Sequence, residues 1–187
     1  MMHNNQMTLF KNYAEDFFGS SDRVLEIGPN LDNVSIVGKT KVWDTAGIED
    51  DQRLTYHMTE YEIPCRDGLY DVVYSSNVLE HVQKPWVWMR ELVRVCAPGG
   101  RVITLVPANW PYHEAPVDCW RVYPNGLKAL MEDAGLVVAL AICCRSSRTW
   151  TRPERMSWPW FVFPWWGGTR DWCTVVDTLG VGIKPDA

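Results

Sequence analysis

The sequence predicts an α/β fold: a doubly wound, mostly parallel seven-stranded sheet with helices on both faces. Short apolar runs of strand length alternate along the chain with longer segments of helical spacing, a pattern typical of consecutive βαβ units. The first run, residues 24–27, is mostly apolar, as expected of a parallel strand that is buried on both faces. It ends at Gly28, which lets the backbone turn sharply at the edge where such sheets bind ligands.

The first half of the chain contains one predicted helix and four predicted strands. The helix spans residues 7–18 and is ended by the turn-prone segment 19–21. The second strand is followed directly by Asp44, and the turn pair Asp67-Gly68 precedes a clear fourth strand. The strands are predicted at 24–27, 41–43, 54–61 and 70–74, of which the third is the most weakly marked.

The second half contains the remaining helices and strands. Helical spacing runs from 78 to 95, and Pro85 predicts a break from which the longer helix starts. A helix over 127–134 is stopped by Gly135 as its C-terminal cap. The tight turn 97–100 leads into the fifth strand, and the last three strands are predicted at 101–106, 136–144 and 172–178.

The chain of 187 residues is predicted to form a single domain, because its length suits one core of ordinary size and no internal repeat is evident. Three segments stand out within it. They are an N-terminal helix within residues 1–20, a loop at 107–126 and a tryptophan-rich insertion at 145–171.

Composition excludes several classes of protein. The net charge of −5 argues against a general nucleic-acid binder. No run of about 18 apolar residues predicts a membrane span, and the polar N-terminus lacks a secretion signal, so a cytoplasmic location is expected. The six cysteines lack CxxC spacing, which argues against a zinc site and against a secreted disulfide framework. No metal is therefore expected.

The strand ends indicate a nucleotide pocket. Asp44 lies 18 residues beyond Glu26, where an acid can accept hydrogen bonds from both hydroxyls of a ribose. Residues 28–33 contain a single glycine, although a pyrophosphate needs several close backbone approaches, so NAD and FAD are disfavoured. No GxxxxGK[ST] motif is present, which excludes a P-loop.

Four segments in order identify a family resemblance, which covers about residues 20–142. Taken together, they resemble the class I S-adenosylmethionine-dependent methyltransferases of the small-molecule type, which have a Rossmann-like fold. One departure is that Gly28-Pro29-Asn30 replaces the usual GxGxG loop. The segments are VLEIG at 24–28, Asp44, YDVVYSSNVLEHV at 70–82 and APGG at 97–100.

The resemblance implies S-adenosylmethionine as cofactor and assigns its contacts. Each assignment has an alternative: Asp44 as an ordinary turn acid, for example, or His81 as a core histidine. The implied cofactor residues are Glu26, Gly28 and Pro29 near the methionine and ribose, Asp44 on the ribose, Thr45, Glu60 and Tyr61 around the adenine, Ser75, Ser76 and Asn77 beneath the cofactor, and His81 at the pocket wall.

The loop after the fifth strand carries the candidate acceptor residues. It should overhang the reactive methyl group, because it follows the carboxyl end of a parallel strand. His113 is a candidate base for proton removal, Asp118 could orient it, and Arg121 could bind an anionic group or pair with Asp118. Tyr112 and Trp120 are further candidates for substrate contact. The alternative is that the polar members only pin the loop through hydrogen bonds.

The segment 158–166 contains six tryptophans or phenylalanines and two prolines, and it has two interpretations. Exposed aromatic surface favours protein association, so a homodimer interface or a lid is expected, with stacking on a sugar as the alternative. A membrane-surface role lacks the lysine and arginine face of interfacial helices.

These patterns predict an enzyme that transfers a methyl group from S-adenosylmethionine to a small-molecule or sugar acceptor, at a hydroxyl oxygen. A second hypothesis is a non-catalytic subunit of the same fold that acts as a scaffold through its tryptophan-rich surface, motivated by the degenerate 28–30 loop. A third is a dehydrogenase-like nucleotide enzyme.

Overall fold

The computed structural model describes residues 4–31, 42–114, 116–145 and 175–186. Among the described residues, no helix has the length and apolar character needed to cross a lipid bilayer. In chain order, the elements are α1 (Asn4–Leu9), which continues as a π-helical turn (Phe10–Ala14) and a 3-10 turn (Glu15–Phe17), then β1 (Arg23–Ile27), β2 (Val42–Gly47), β3 (Tyr56–His57), β4 (Tyr70–Ser76), a 3-10 turn (Leu79–His81), α2 (Pro85–Val95), β5 (Cys96–Pro107), α3 (Pro124–Asp133), β6 (Val137–Arg145) and β7 (Val175–Ile183).

The strands form one sheet in the order β3-β2-β1-β4-β5-β7-β6. Strands β1 to β5 pair in parallel, and β7 runs antiparallel between β5 and β6. The predicted mostly parallel, seven-stranded, Rossmann-like sheet is therefore confirmed. The order changes direction between β1 and β4, and the crevice outside the carboxyl ends of the strands at such a point is where open α/β sheets bind ligands.

Two apolar layers cover the sheet, one on each face. In β1, Leu25 and Ile27 belong to the layer that also contains the buried sides of α2 and α3, whereas Val24 points to the other layer with Phe10 of the N-terminal helical segment. This alternation follows from the two-residue period of a strand. It confirms that helices lie on both faces.

The two longer helices begin and end where local chemistry places their ends. Pro85 and Pro124 each occupy the first turn, where a missing N–H leaves no hydrogen bond unmade. Helix α3 is terminated by Gly135, two residues beyond its last helical residue, with a φ of +91°. The N–H of Leu136 then donates to the carbonyl oxygen of Met131 at 3.0 Å. The predicted break at Pro85 and the predicted glycine cap are both confirmed.

The predicted end of the second strand is wrong. Strand β2 runs through Gly47, because the small residues 45–47 continue the pairing and Ala46 lies opposite Ile27. Asp44 is consequently a mid-strand residue, in register with Leu25 and not at the tip of the strand.

Two other strands also differ from prediction. The third strand is only Tyr56–His57, because it pairs only with the last two residues of β2 at the edge of the sheet. The seventh strand runs over Val175–Ile183, five residues further than predicted. Its Gly180 is a packing residue, not a turn residue: a Cβ there would lie 2.7 Å from a methyl of Leu127 in α3.

Candidate functional site

A cavity of about 740 Å³ lies at the carboxyl ends of β1, β2, β4 and β5. Each of these strands contributes residues at or just beyond its carboxyl end, so the sheet topology brings distant parts of the chain to one wall. The lining residues include Gly28 after β1, Gly47, Ile48 and Glu49 at the end of β2, Met58 and Glu60 after β3, Asn77, Val78, Glu80 and His81 after β4, Pro107 at the end of β5, and Trp110 and His113 after it.

Gly28 forms the floor of the cavity where β1 meets the segment after β4. Its φ is +64°, and its N–H donates to the carbonyl oxygen of Ala46 at 2.8 Å. A Cβ at this position would lie 2.5 Å from Cγ2 of Val78, closer than real contacts allow. The position therefore requires glycine for both its backbone conformation and the approach of Val78.

The acid at the tip of β2 is Glu49, which the sequence analysis did not select. It is exposed and lines the cavity, two residues beyond Gly47. Asp44, the predicted ribose ligand, instead accepts a hydrogen bond from the hydroxyl of Tyr70 at 2.8 Å and lies outside the cavity lining. The residue pattern does not separate the two, because Ala46-Gly47 also suits a turn, although the structure places both residues at the end of the strand.

Four of the predicted cofactor residues line the cavity: Gly28, Glu60, Asn77 and His81. The carboxylate of Glu60 also accepts the N–H of Gln83 at 2.6 Å. The other predicted residues, besides Asp44, lie outside the lining of this cavity in the described part of the chain, namely Glu26, Pro29, Thr45, Tyr61, Ser75 and Ser76.

Several of those six residues are engaged in local contacts. The carboxylate of Glu26 accepts the indole N–H of Trp43 at 2.9 Å, and burial raises the pKa of Glu26. The hydroxyls of Ser75 and Thr104 are 3.4 Å apart across β4 and β5. Thr45 exchanges hydrogen bonds with Thr55, through backbone N–H groups and side-chain hydroxyls, at 3.1 and 3.2 Å.

Asn77 turns the chain at the end of β4 and is fixed by the N-terminal helix. Its φ of +56° is in the left-handed region, which asparagine tolerates better than most residues. Its side-chain nitrogen donates to the side-chain oxygen of Gln6 at 3.0 Å, and its side-chain oxygen accepts a hydrogen bond from the side-chain nitrogen of Gln6. Gln6 is fully buried and donates to Asp177 of β7 at 2.8 Å. Sequence reasoning missed Gln6, because one glutamine in a short helix carries no signal of its partner.

Glu80, His81 and His113 form a cluster that also lines the cavity. One potential ligand atom from each of the three lies within 4.8 Å of the others. The two imidazole rings meet edge to face, with centroids 5.0 Å apart. Nε2 of His81 lies 3.8 Å from a carboxylate oxygen of Glu80, whose side chain is 1% exposed. Burial raises the pKa of Glu80 to about 7.

Both histidines of the cluster are oriented by backbone carbonyls. Nδ1 of His81 contacts the carbonyl oxygen of Val117, and Nδ1 of His113 contacts that of Pro111 at 3.1 Å. Because a carbonyl oxygen can only accept, each Nδ1 must carry the hydrogen. In the neutral ring, Nε2 then carries the available lone pair.

The loop after β5 is held by a buried carboxylate. The side chain of Asp118 is 1% exposed. Its carboxylate accepts hydrogen bonds from both terminal nitrogens of the Arg121 guanidinium and from the backbone N–H of His113, the latter at 2.7 Å. The Arg121 guanidinium holds the pKa of Asp118 well below its usual range. Asp118 and Arg121 thus hold the loop together through hydrogen bonds.

The rest of the loop is fixed to the segment after β4. The carbonyl oxygen of Glu80 accepts the N–H groups of Cys119 and Trp120 at 2.7 and 3.1 Å, and the indole of Trp120 donates to the carbonyl oxygen of Val82 at 2.7 Å. Tyr112 is 73% exposed, and Trp110, which sequence reasoning did not select, joins the cavity wall. Residues 158–166, the predicted aromatic interface, lie outside the described residues.

Comparison with known proteins places these features in a family. The model of a family described as a methyltransferase domain matches residues 2–141 of the chain. An uncharacterised methyltransferase of Mycobacteroides abscessus is 39% identical over 57 residues, which are 30% of this chain and 22% of that protein. Another, of Mycobacterium sp. (strain JLS), is 51% identical over 41 residues, which are 22% of this chain and 16% of that protein. The matches thus span about a fifth of the length of these curated relatives.

Solved structures share the fold at low sequence identity. A SAM-dependent methyltransferase of Archaeoglobus fulgidus has a TM-score of 0.68 and 14% identity, with 95% of this chain and 92% of that chain covered. A SAM-dependent methyltransferase of Aquifex aeolicus has a TM-score of 0.56 and 12% identity, with 97% and 93% covered. At such identities the likeness supports the arrangement of strands and helices alone.

Proposed function

The chain belongs to the methyltransferase-domain family, and from this premise we propose that it transfers a methyl group from S-adenosylmethionine to a hydroxyl oxygen of a small-molecule acceptor. S-adenosylmethionine is the cofactor that the family implies. The observation that carries the proposal is that one cavity is lined both by an exposed acid, Glu49, and by a cluster of two histidines and a buried carboxyl.

The lining of the cavity fits an adenosine cofactor. Gly28 lies in the lining at the tip of β1, where the absence of a side chain lets Val78 pack against its backbone. The carboxylate of Glu49, at the tip of the neighbouring strand, would accept hydrogen bonds from the ribose hydroxyls. Ile48 and Met58 lie beside it and would cover the faces of the adenine ring. Glu60 would receive the adenine amino group, as the sequence analysis expects.

For the predicted cofactor residues outside the lining, we propose a supporting role. Glu26, Thr45 and Ser75 are held in strand pairing and local hydrogen bonds, so they would shape the wall and not touch the cofactor. We assign Pro29, Tyr61 and Ser76 to the same group because they also lie outside the lining. Asp44 is replaced by Glu49 as the ribose ligand.

At the acceptor end, His113 is the candidate catalytic residue and Asp118 is the residue that positions it. A sulfonium is already an activated electrophile, so alignment of the acceptor is the main contribution of the protein. A hydroxyl acceptor also requires activation, and the outward Nε2 of His113 can provide it. The exposed rings of Trp110 and Tyr112 would pack against a sugar or another ring-bearing acceptor.

Calorimetric titration with S-adenosylhomocysteine, the product form of the cofactor, tests the proposal. The wild-type chain should bind it, and Glu49→Gln should weaken binding about 10- to 100-fold, because hydrogen bonds to a charged group are worth about 1.5–3 kcal/mol. Asp44→Asn is the matched control on the same strand and should change affinity less than about threefold. Absence of binding to the wild-type chain would refute the proposed function, and a larger loss in Asp44→Asn would refute the assignment of Glu49.

The choice of oxygen is tested separately with cofactor carrying a labelled methyl group. Paired acceptors that differ only in a hydroxyl or an amino group on the same ring should be offered to the wild-type chain. Label should appear on the hydroxylated partner. Transfer confined to the amines would contradict oxygen methylation and leave the methyltransferase proposal intact.

A further inference from the structure

We propose that Glu80, His81 and His113 bind a divalent transition-metal ion at the acceptor end of the cavity. The inference deepens the proposed function, because the ion would lie where the acceptor hydroxyl is presented and, once bound to Nε2 of His113, would activate that hydroxyl in place of the free nitrogen. Binding of the ion itself does not depend on the proposed function being correct. The sequence analysis expected no metal, but it considered cysteine spacing, and this cluster contains no cysteine.

The distances in the cluster suit a metal site that lacks its ion. One potential ligand atom from each residue lies within 4.8 Å of the other two. Ligands at about 2.0–2.2 Å from a tetrahedral ion are roughly 3.5 Å apart. The three side chains would therefore need to move inward by about an ångström, which rotation within their present positions can supply.

The orientation of both imidazoles is the one that metal-binding histidines adopt. Such a histidine almost always donates its second ring N–H to a carboxylate or a backbone carbonyl, which fixes the tautomer and the ring plane. His81 and His113 each place Nδ1 on a backbone carbonyl oxygen, of Val117 and Pro111. Nδ1 of His113 also lies 3.5 Å from Asp118. With Nδ1 engaged in both rings, Nε2 is the nitrogen that each histidine can offer to an ion.

Glu80 supplies an independent observation. Its side chain is 1% exposed, and among the described residues its Oε2 has no hydrogen-bond partner. A buried carboxyl without a partner is costly. The charge of the nearby Arg121 guanidinium favours the ionised form of Glu80, but its terminal nitrogens donate to Asp118 and leave Oε2 of Glu80 without a hydrogen bond. A cation between Glu80 and the two histidines would satisfy the free oxygen.

The ligand types select the kind of ion. Two imidazoles and one carboxylate suit Zn²⁺, Fe²⁺, Co²⁺ or Ni²⁺, whereas Mg²⁺ and Ca²⁺ prefer oxygen ligands throughout. Three protein ligands leave a coordination position open, as in catalytic zinc sites. All three residues line the cavity, so the open position would face the space where the acceptor binds.

Titration of the full chain with Co²⁺ tests the site, because the visible absorption of Co²⁺ reports both binding and ligand type. The protein is first freed of metal with EDTA and then exchanged into buffer near pH 8. One equivalent should bind with the spectrum of a nitrogen and oxygen site. His81→Ala, His113→Ala and the isosteric Glu80→Gln should each weaken binding at least about tenfold. His57→Ala removes an exposed histidine outside the cluster and should leave affinity unchanged.

Three results would overturn the site: no saturable binding by the wild-type chain, equal binding by all three cluster variants, or a thiolate absorption band that disappears in Cys119→Ser. Circular dichroism checks that each variant is folded, and the wild-type titration decides the matter if one is not. S-adenosylhomocysteine binding, measured on the same samples, separates the two proposals. Cofactor binding without Co²⁺ binding would refute only the metal site, and the reverse would refute only the cofactor assignment.

Discussion

Gly28 combines two constraints that an added methyl group would violate. Its φ of +64° disfavours any side chain, and the space beside its Cα is filled by Val78, which follows β4. The first constraint concerns the backbone of β1, and the second ties the end of β1 to the end of β4. The floor of the cavity therefore depends on one residue without a side chain.

We predict that Gly28→Ala destabilises the fold by about 1–3 kcal/mol and lowers S-adenosylhomocysteine affinity more than about tenfold, because Val78 must move into the cavity. Urea unfolding and calorimetry measure the two effects. Gly135→Ala is the matched control: its φ is also positive, at +91°, but an added Cβ would contact nothing within 4 Å. It should cost about 1 kcal/mol and leave the affinity unchanged. Wild-type affinity in Gly28→Ala would contradict the prediction.

At this scale the sequence located Gly28 but not the acid of the neighbouring strand. An acid that follows an apolar run lies at the tip of a strand only if the pairing with the neighbouring strand also stops there. Between Asp44 and Glu49 the chain has residues 45–48, of which Thr45, Ala46 and Gly47 favour a turn when they are considered alone. Its pairing with β1 decides otherwise, and pairing depends on residues far away in the sequence.

Helix α2 is joined to the segment that precedes β4 by one arginine. Arg94 donates to the carbonyl oxygens of Ile63 and Cys65 at 2.8 and 2.9 Å and pairs with Glu91 and Asp67 at 2.7 and 2.6 Å. Glu91 also accepts the N–H of Ile63 at 2.7 Å. This network fixes a long irregular segment to the regular part of the fold.

The network predicts a contribution of Glu91 to acid sensitivity. Burial raises the pKa of Glu91, but hydrogen bonds from Arg94 and the N–H of Ile63 outweigh it, so the pKa lies below the ordinary value of 4.5. As the pH falls, the unfolded chain therefore binds a proton at Glu91 before the folded chain does. The stabilisation is present above pH 4.5 and is lost as the pH falls through the pKa that Glu91 has in the folded chain.

Glu91→Gln should therefore cost about 1–2 kcal/mol of unfolding free energy at pH 7 and reduce the fall in stability between pH 5 and pH 3. Urea unfolding at several pH values checks both effects. Glu132→Gln, in an exposed pair with Lys128, should retain the acid sensitivity of the wild-type chain. An unchanged pH profile in Glu91→Gln would count against the network.

The loop after β5 owes its position to Asp118. We predict that Asp118→Asn lowers kcat about tenfold while the affinity for S-adenosylhomocysteine stays within about twofold, because the bidentate partner of Arg121 and the acceptor of the His113 N–H are weakened together. Turnover measured beside calorimetry separates the two quantities. Asp133→Asn, in an exposed pair with Arg90, should change neither. Equal loss of turnover and cofactor affinity in Asp118→Asn would contradict a role confined to the acceptor side.

Elements with a regular apolar period were predictable, whereas those defined by their neighbours were not. Helix α2 and strand β4 follow directly from spacing. Strand β7 contains Gly180 and Gly182, which weaken any strand pattern, and only the approach of Leu127 and Leu136 explains them. The pinning of Asp118 by Arg121 could be stated as an alternative from the sequence, but the spacing alone does not show which partner each side chain takes.

At the scale of the whole molecule, four strand ends converge on one cavity, so cofactor binding should stabilise the entire fold. At 100 times its dissociation constant, S-adenosylhomocysteine should add about 2.7 kcal/mol and raise Tm by roughly 5–11 °C. Differential scanning calorimetry with and without ligand measures the shift. Glu49→Gln at the same ligand concentration should show a markedly smaller shift. An unchanged Tm of the wild-type chain would mean that the ligand does not bind the folded state.

Strand β7 completes the sheet from within, between β5 and β6, and its Asp177 reaches Gln6, which in turn holds Asn77 on the cavity wall. When the chain emerges from the ribosome, the strands that precede β7 can pair first, but the sheet then lacks the strand that separates β5 from β6. Strands β5 and β6 must therefore stay apart, or separate again, so that β7 can insert between them. Capture of the methyl donor should consequently wait until residue 183 has cleared the exit tunnel.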